Sequence, residues 1–87
     1  MSDPVVVVGG GLTGLALAHA LRARGMGVVL LEERDVPGGN LRTRAVAGAD
    51  GATWLLEQGP NSFGDAQPDT MGLVRALGLS VLTSFEF

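Results

Sequence analysis

A run of β-branched residues closed by three glycines constrains the fold more than any other feature of the chain. Val5 to Val8 are apolar on both faces, which is typical of a central strand in a parallel sheet. Good helix formers follow from Leu15 to about Arg24, and Gly25 and Gly27 are expected to end that helix. Val28 to Leu31 then predicts a second buried strand. The order strand, glycine turn, helix, strand predicts a right-handed βαβ unit.

The glycine turn satisfies the G-x-G-x-x-G pattern of dinucleotide-binding proteins over residues 9–14. Gly9 permits the sharp turn out of the strand, and Gly11 lets a pyrophosphate approach the backbone without meeting a Cβ. Gly14 lets the helix pack closely on the sheet. The pyrophosphate is expected on the free N–H groups at the positive end of the helix dipole, near Leu12.

A carboxylate ends the second predicted strand. Glu32 lies about 20 residues beyond the turn, where an acidic group accepts the ribose hydroxyls of a dinucleotide. Adjacent strand residues point to opposite faces, so Glu33 is expected to contribute much less. The alternative for Glu32 is a solvated strand end. This pattern alone does not distinguish NAD from FAD.

The second half of the chain predicts a hairpin. After a loop at Pro37–Asn40, two short strands are expected over Leu41–Ala47 and Ala52–Glu57. Asp50-Gly51 is a favourable hairpin turn because both residue types tolerate positive φ.

A loop at Gln58–Pro68 and a short amphipathic helix at Met71–Leu77 follow, with Gly78 as the helix stop. Ser80–Phe87 is weakly strand-like. Asp65 and Asp69 are interpreted as solvated turn residues.

Composition excludes several classes of function. The net charge of -3 argues against nucleic acid as a partner, since no basic patch neutralises phosphates. The absence of cysteine excludes a disulfide scaffold, a thiolate zinc site and a redox dithiol. Neither a secretory signal peptide nor an apolar run of about 20 residues is found. A cytoplasmic location is therefore expected, with peripheral membrane association of a longer parent protein left open.

Single residues with chemical potential have mostly structural interpretations. His19 lies among Ala and Leu without a second ligand or carboxylate at helical spacing, so a packed or solvent-facing role is expected. Trp54 alternates with Leu56, which favours packing on one face of a strand. No nucleophile–base pair is found, so we predict no catalytic or metal-binding residue. This is consistent with a reaction in which the cofactor supplies the chemistry.

A second segment carries a family resemblance. Leu31 to Thr43 resembles the second signature of the flavin amine oxidase and protoporphyrinogen oxidase superfamily: a Glu-Ala-Arg-like strand end, a paired glycine, then Thr or Ser four residues on. Glu33 departs from the usual Ala or Ser. The resemblance implies FAD, with this segment beside the adenosine ribose and pyrophosphate, where Arg42 could add a charge-assisted contact.

A third segment narrows the resemblance. Glu57 to Phe63, read as Glu-Gln-Gly-Pro-Asn-Ser-Phe, is similar to a segment of oxygen-dependent protoporphyrinogen oxidases. The Gly-Gly-Asn that begins at Gly38 also fits that family, because amine oxidases more often have Arg or Lys after the paired glycines. Residues 71–79 continue the likeness, which covers nearly all of residues 4–79, whereas Val81 to Phe87 carry no family signal.

The resemblance implies which residues contact the cofactor. Nucleotide-contacting positions match at Gly9, Gly11, Gly14, Glu32, Arg34, Gly39 and Asn40; Gly59 and Pro60 match a turn near the flavin ring, and Asn61 a position close to the substrate. With their neighbours, the predicted FAD-binding residues are Gly9, Gly10, Gly11, Leu12, Thr13, Gly14, Glu32, Glu33, Arg34, Gly38, Gly39, Asn40, Leu41, Arg42, Gly59, Pro60 and Asn61.

The whole chain is then expected to be the N-terminal part of a glutathione-reductase-like FAD-binding domain of α/β class. It would comprise a βαβ unit (4–33), a glycine loop and hairpin (37–57), and a loop and helix (58–79), with the substrate domain absent. By resemblance the parent enzyme oxidises protoporphyrinogen IX to protoporphyrin IX with FAD and oxygen, a step of porphyrin and haem biosynthesis.

Alternatives stay open at this point. Another oxidase or desaturase of the superfamily, acting on an amine or a carotenoid, would share the first two motifs. An NAD-dependent dehydrogenase would share only the first. The 87-residue chain could also be a non-catalytic folding module, expected to self-associate through its uncovered strands.

Overall fold

The computed structural model describes residues 3–82. Its elements in chain order are β1 (Val5–Val8), α1 (Leu12–Ala23), β2 (Val28–Leu31), β3 (Thr43–Ala47), β4 (Thr53–Glu57) and α2 (Pro68–Ala76). The predicted α/β class and the order of elements are confirmed.

The βαβ unit has the predicted parallel pairing. β1 lies beside β2 with Val5 opposite Val28 and Val8 opposite Leu31. α1 begins at Leu12, as the phosphate turn predicts, although the run of strong helix formers begins only at Leu15. Gly11 takes an extended N-cap conformation, and its carbonyl accepts the Leu15 N–H at 3.0 Å. Helix propensity is a poor guide in this first turn, whose N–H groups have no intrahelical partner in any case.

The strands are less buried than predicted. Val7, which is 6% exposed, is the one apolar residue in 3–82 that is classed as buried, whereas Val8 is 81% exposed. α1 packs on one face of this two-stranded sheet, and no other element of the described chain covers the opposite face. The radius of gyration is 16.4 Å, against about 12 Å for a compact chain of this length. Sequence patterns typical of central strands therefore occur here in strands that lack their neighbours.

The predicted hairpin is present, with slightly shorter strands. β3 and β4 pair antiparallel, with Thr43 opposite Glu57. At the turn, Gly51 has φ +82 and the Ala52 N–H donates to Asp50 Oδ1 at 3.0 Å. Trp54 is 61% exposed, so the predicted packing on a strand face is wrong for the described residues.

Trp54 instead lies against the turn glycine. A Cβ built on Gly48 would be 2.6 Å from the indole Nε1. Within residues 3–82, the indole ring thus lies against the end of its own hairpin.

The second helix begins earlier than predicted. α2 starts at Pro68, three residues before Met71, with Gln67 as its N-cap. Proline is favoured at the first helical position, and Asp69 lies in the first turn at the positive end of the dipole. Asp69 is therefore a helix residue, and interpreting it as part of a turn was wrong.

The end of the chain is described only in part. Residues 80–82 form no strand, contrary to the weak prediction for Ser80–Phe87, of which residues 83–87 lie outside the described residues. Within residues 3–82, no helix combines the length and apolar character needed to cross a membrane.

Candidate functional site

The turn between β1 and α1 forms the floor of the candidate site. Gly9 has φ +100, and its N–H donates to Leu31 O at 2.7 Å. A Cβ on Gly14 would overlap the Gly9 carbonyl oxygen, so the predicted close packing of this helix turn is confirmed. Above the turn lies an open groove of about 510 Å³, lined by residues 6–9, 11–14 and 17.

The N-terminus of α1 presents donors to this groove. The N-cap, Gly11, makes no side-chain capping hydrogen bond. The N–H groups of the first helical turn, at Leu12, Thr13 and Gly14, have no intrahelical acceptor. A Cβ on Gly11 would have only Gly39 Cα nearby, at 3.9 Å. N–H groups that have no intrahelical acceptor and face open space at a helix N-terminus are the arrangement that binds phosphate.

Glu32 connects this turn to the end of β2. Its Oε1 accepts the Gly10 N–H at 2.9 Å, and its Oε2 accepts the Arg34 N–H at 2.6 Å. These backbone hydrogen bonds, the one from Arg34 first, hold the pKa of the Glu32 carboxyl below its usual value. Each carboxylate oxygen can accept a further hydrogen bond, so the half-buried group keeps capacity for a ribose hydroxyl.

The sequence interpretation missed the Glu32 clamp, by which we mean the two hydrogen bonds that the Glu32 carboxylate accepts from the Gly10 and Arg34 N–H groups. One signal for it was available, since Gly10 is a glycine at a position that the motif leaves unrestricted. A Cβ there would lie 3.2 Å from both Glu32 Oε1 and Leu30 Cδ2. The middle glycine of this run, Gly10, thus leaves room for the Glu32 carboxylate and the Leu30 side chain.

The paired glycines of the second segment lie directly against the phosphate turn. The Gly38 N–H donates to Gly10 O at 2.7 Å. Gly39 has φ +60, and a Cβ built on it would be 3.1 Å from Gly11 Cα. The Arg34 guanidinium donates to Gly39 O at 3.3 Å. Arg34 therefore contacts the protein backbone in this structure.

The third segment reaches the same place through a single glycine. A Cβ on Gly59 would overlap the carbonyl oxygen of Asn40. On either side of this contact, the Gln58 N–H donates to Arg42 O at 2.8 Å, and the Leu41 N–H donates to Gly38 O at 3.0 Å. Three segments that are distant in sequence thus meet by backbone contact.

The structure brings together most of the predicted residues, though not all. The clustered ones are Gly9, Gly10, Gly11, Gly14, Glu32, Arg34, Gly38, Gly39, Asn40 and Gly59. Glu33, Pro60 and Asn61 are exposed and make no side-chain hydrogen bond within residues 3–82. Contact of each of these residues with a cofactor stays a prediction.

Chemically, the site is equipped for binding. His19 is exposed on α1, away from the groove-lining residues. In the part of the chain that the structure describes, no three acidic or imidazole side chains are grouped as metal ligands. The observed donors suit a pyrophosphate and the observed carboxylate suits a ribose, so the residues present fit a dinucleotide.

Comparison with known proteins gives the same family from sequence and from structure. The NAD(P)-binding Rossmann-like domain model matches residues 7–77. Coproporphyrinogen III oxidase of Propionibacterium freudenreichii subsp. freudenreichii is 45% identical over 76 residues, which are 87% of this chain and 14% of that protein. Lysine-specific histone demethylase 1 homolog 1 of Arabidopsis thaliana is 42% identical over 76 residues, 86% of this chain and 9% of that protein.

A solved structure of putrescine oxidase bound to putrescine superposes with a TM-score of 0.74 at 36% identity, over 92% of this chain and 17% of that one. Plant protoporphyrinogen oxidases and a bacterial phytoene desaturase are also similar. The chain therefore spans less than a fifth of the length of the proteins that it matches.

Proposed function

The chain belongs to the NAD(P)-binding Rossmann-like domain family, as a unit of the flavin amine oxidase superfamily, and from this we propose that it is the FAD-binding segment of a porphyrinogen oxidase. Membership confirms the predicted fold class and FAD as the cofactor. Porphyrinogen as the substrate, and activity of a longer parent enzyme, are the proposal.

The residues of this chain would hold the adenosine–pyrophosphate half of FAD. The N–H groups of Leu12, Thr13 and Gly14 bind the pyrophosphate, and Gly11 leaves space for it. Glu32 accepts a ribose hydroxyl with the acceptor capacity that Gly10 and Arg34 leave free. When bound, FAD supplies the redox chemistry by accepting hydride equivalents.

One observation supports the choice of a porphyrinogen over an amine. The Glu-Gln-Gly-Pro-Asn-Ser-Phe segment resembles porphyrinogen oxidases, and its Gly59 lies against Asn40 beside the phosphate turn. One of the distinguishing residues, Gly59, therefore lies next to the nucleotide site. The similarity to a coproporphyrinogen oxidase and to plant protoporphyrinogen oxidases agrees with this choice.

A second candidate is an amine oxidase. The similarity to a histone demethylase homologue and to putrescine oxidase favours it. Both activities would use the same phosphate turn, so this part of the chain does not separate them.

Purified intact protein separates the two. Protoporphyrinogen IX and coproporphyrinogen III are supplied in air and formation of the fluorescent porphyrin is followed, while peroxide release is measured with putrescine and with a methyl-lysine peptide. The proposal expects porphyrin formation with protoporphyrinogen IX and no amine turnover. Amine turnover without porphyrin formation would establish the second candidate, and turnover of coproporphyrinogen III alone would change the substrate within the proposed class.

A further inference from the structure

Gly59 lies where the segment after β4 touches the loop after β2. A Cβ at this position would overlap the Asn40 carbonyl oxygen and lie 3.0 Å from its carbonyl carbon. Gly64, five residues later in the same loop, has nothing within 4 Å of its Cβ position. The two glycines are thus matched in type and in loop, and differ in contact.

The loop that Gly59 touches is itself held on its other side. Gly38 donates to Gly10 O, and Gly39 lies against Gly11, so Asn40 stands between the phosphate turn and Gly59. The phosphate turn, the loop after β2 and the segment after β4 are thus in direct backbone contact, with no side chain between them. Their separation depends on the absence of a Cβ at Gly39 and at Gly59.

The chain is held by backbone hydrogen bonds before Gly59 but not directly after it. Before it, the Gln58 N–H is bonded to Arg42 O, which continues the ladder of the hairpin. After it, residues 59–65 take part in no backbone hydrogen bond within the described chain, and the next one is the Met71 N–H to Gln67 O at the start of α2. An added methyl at Gly59 would consequently displace residues 59–65 and leave the phosphate turn in place.

We propose that Gly59 is a positioning residue: its bare backbone seats the segment from Gly59 to Phe63 on the Asn40 carbonyl and so sets how far Pro60 and Asn61 stand from the pyrophosphate end of the site. The inference rests on the proposed FAD site. Since the resemblance implies that Pro60 lies near the flavin ring, the proposal expects Gly59 to matter for binding the flavin half of FAD and not for binding the ADP half.

The test compares Gly59→Ala with Gly64→Ala in the intact apoprotein, titrated separately with FAD and with ADP. Gly59→Ala should raise the Kd for FAD roughly tenfold, one decade on the affinity scale, and leave the Kd for ADP within about twofold of the unaltered protein. Gly64→Ala should change neither. Equal losses for FAD and ADP would overturn the proposal, since the effect would then run through the phosphate turn, and unchanged FAD binding would overturn it as well.

Amide hydrogen exchange without ligand keeps the inference separate from the proposed function. If the unaltered protein binds neither FAD nor ADP, the proposed function fails, but the positioning role is still decided. Gly59→Ala should accelerate exchange at the Gln58 amide, which is bonded to Arg42 O, and leave the Gly38 amide protected by Gly10 O. Unchanged exchange at Gln58, or loss of protection at Gly38, would overturn the positioning role.

Discussion

The βαβ unit and the hairpin both contain many apolar residues but differ in how many of them are covered. In the βαβ unit, α1 packs on β1 and β2, Val7 is buried, and Gly14 lies against the Gly9 carbonyl. In the hairpin, β3 and β4 contact each other, and every residue of β4 is exposed, including Leu55 at 70%. The candidate nucleotide site is thus assembled mainly from backbone contacts, whereas the side chains of the hairpin have few neighbours within residues 3–82.

Because of this difference, substitutions in the two regions should have effects of different size on cofactor binding and stability. In the first unit the sensitive atoms are backbone atoms held by glycines and by one carboxylate. Changes there should alter cofactor binding or helix packing strongly. In the hairpin the side chains have few neighbours, and changes should be small.

The largest effect is expected at Gly11. Its φ of -77 suits any residue, and its Cβ position is open apart from Gly39 Cα at 3.9 Å. Gly11→Val should therefore fold normally while its side chain fills the space needed by the pyrophosphate, lowering FAD affinity by roughly 100-fold or more. Circular dichroism and flavin absorbance of the purified intact protein test this. Normal flavin content would remove Gly11 from the site.

The second prediction concerns the same change, glycine to alanine, at two helix positions, with opposite expected effects on the free energy of unfolding. Gly14→Ala places a methyl on the Gly9 carbonyl and should destabilise by about 1–3 kcal/mol, the range for overpacking. Gly72→Ala, in α2 with open space around its Cβ position, should stabilise by about 0.5–1 kcal/mol through helix propensity. Denaturant unfolding measures both, and the same sign for the two would contradict the packing assigned to Gly14.

The third effect concerns the Glu32 clamp. Glu32→Gln keeps the shape but replaces one acceptor oxygen by an NH2 group, so Gly10 or Arg34 loses its partner. FAD affinity should fall roughly tenfold. Glu33→Gln is the control and should have little effect, since that side chain is exposed. FAD titration of both apoproteins tests this, and an equal or larger loss at Glu33 would refute the assignment.

The same clamp predicts a pH dependence. Because the pKa of Glu32 is lower in the folded protein than its usual 4.5, the unfolded chain takes up the proton first as pH falls. The contribution of Glu32 to stability is then complete above 4.5 and is lost as pH falls through the lower folded value. Glu32→Gln should flatten this acid limb of the free energy of unfolding, which denaturant unfolding at a series of pH values measures.

The smallest effect is expected in the hairpin. Thr43 Oγ1 donates to Glu57 Oε1 at 2.8 Å across the strand pair. Thr43→Val removes this exposed bond and should cost at most about 0.5–1 kcal/mol. Thr53→Val, at the other end of the ladder, keeps the β-branched shape and removes a hydroxyl without a hydrogen bond in residues 3–82, so it should be neutral. Denaturant unfolding measures the loss of stability in both variants. A loss for Thr43→Val greater than that for Gly14→Ala would contradict the contrast between the hairpin and the βαβ unit.

Local sequence patterns predicted most of the fold and the location of the candidate site. The β-branched run, the glycine turn and the Asp50-Gly51 dipeptide each act within a few residues, and all three elements are present. The phosphate turn predicted the start of α1 near Leu12, but the start of α2 was predicted too late. Proline at the first helical position places that start at Pro68, because N-terminal turns depend on capping and on unpaired N–H groups more than on propensity.

The order of elements and the phosphate turn could be predicted from the sequence alone, because periodicity, glycine positions and strand composition are local properties of the chain. The superfamily was predicted from the resemblance of two further segments. Only the tertiary structure decided that Glu32 holds Gly10 and that Gly59 rests on Asn40. It also decided that apolar strands of central type remain exposed. These facts depend on which backbones meet and which faces lack a neighbour, and such contacts join residues that no local pattern connects.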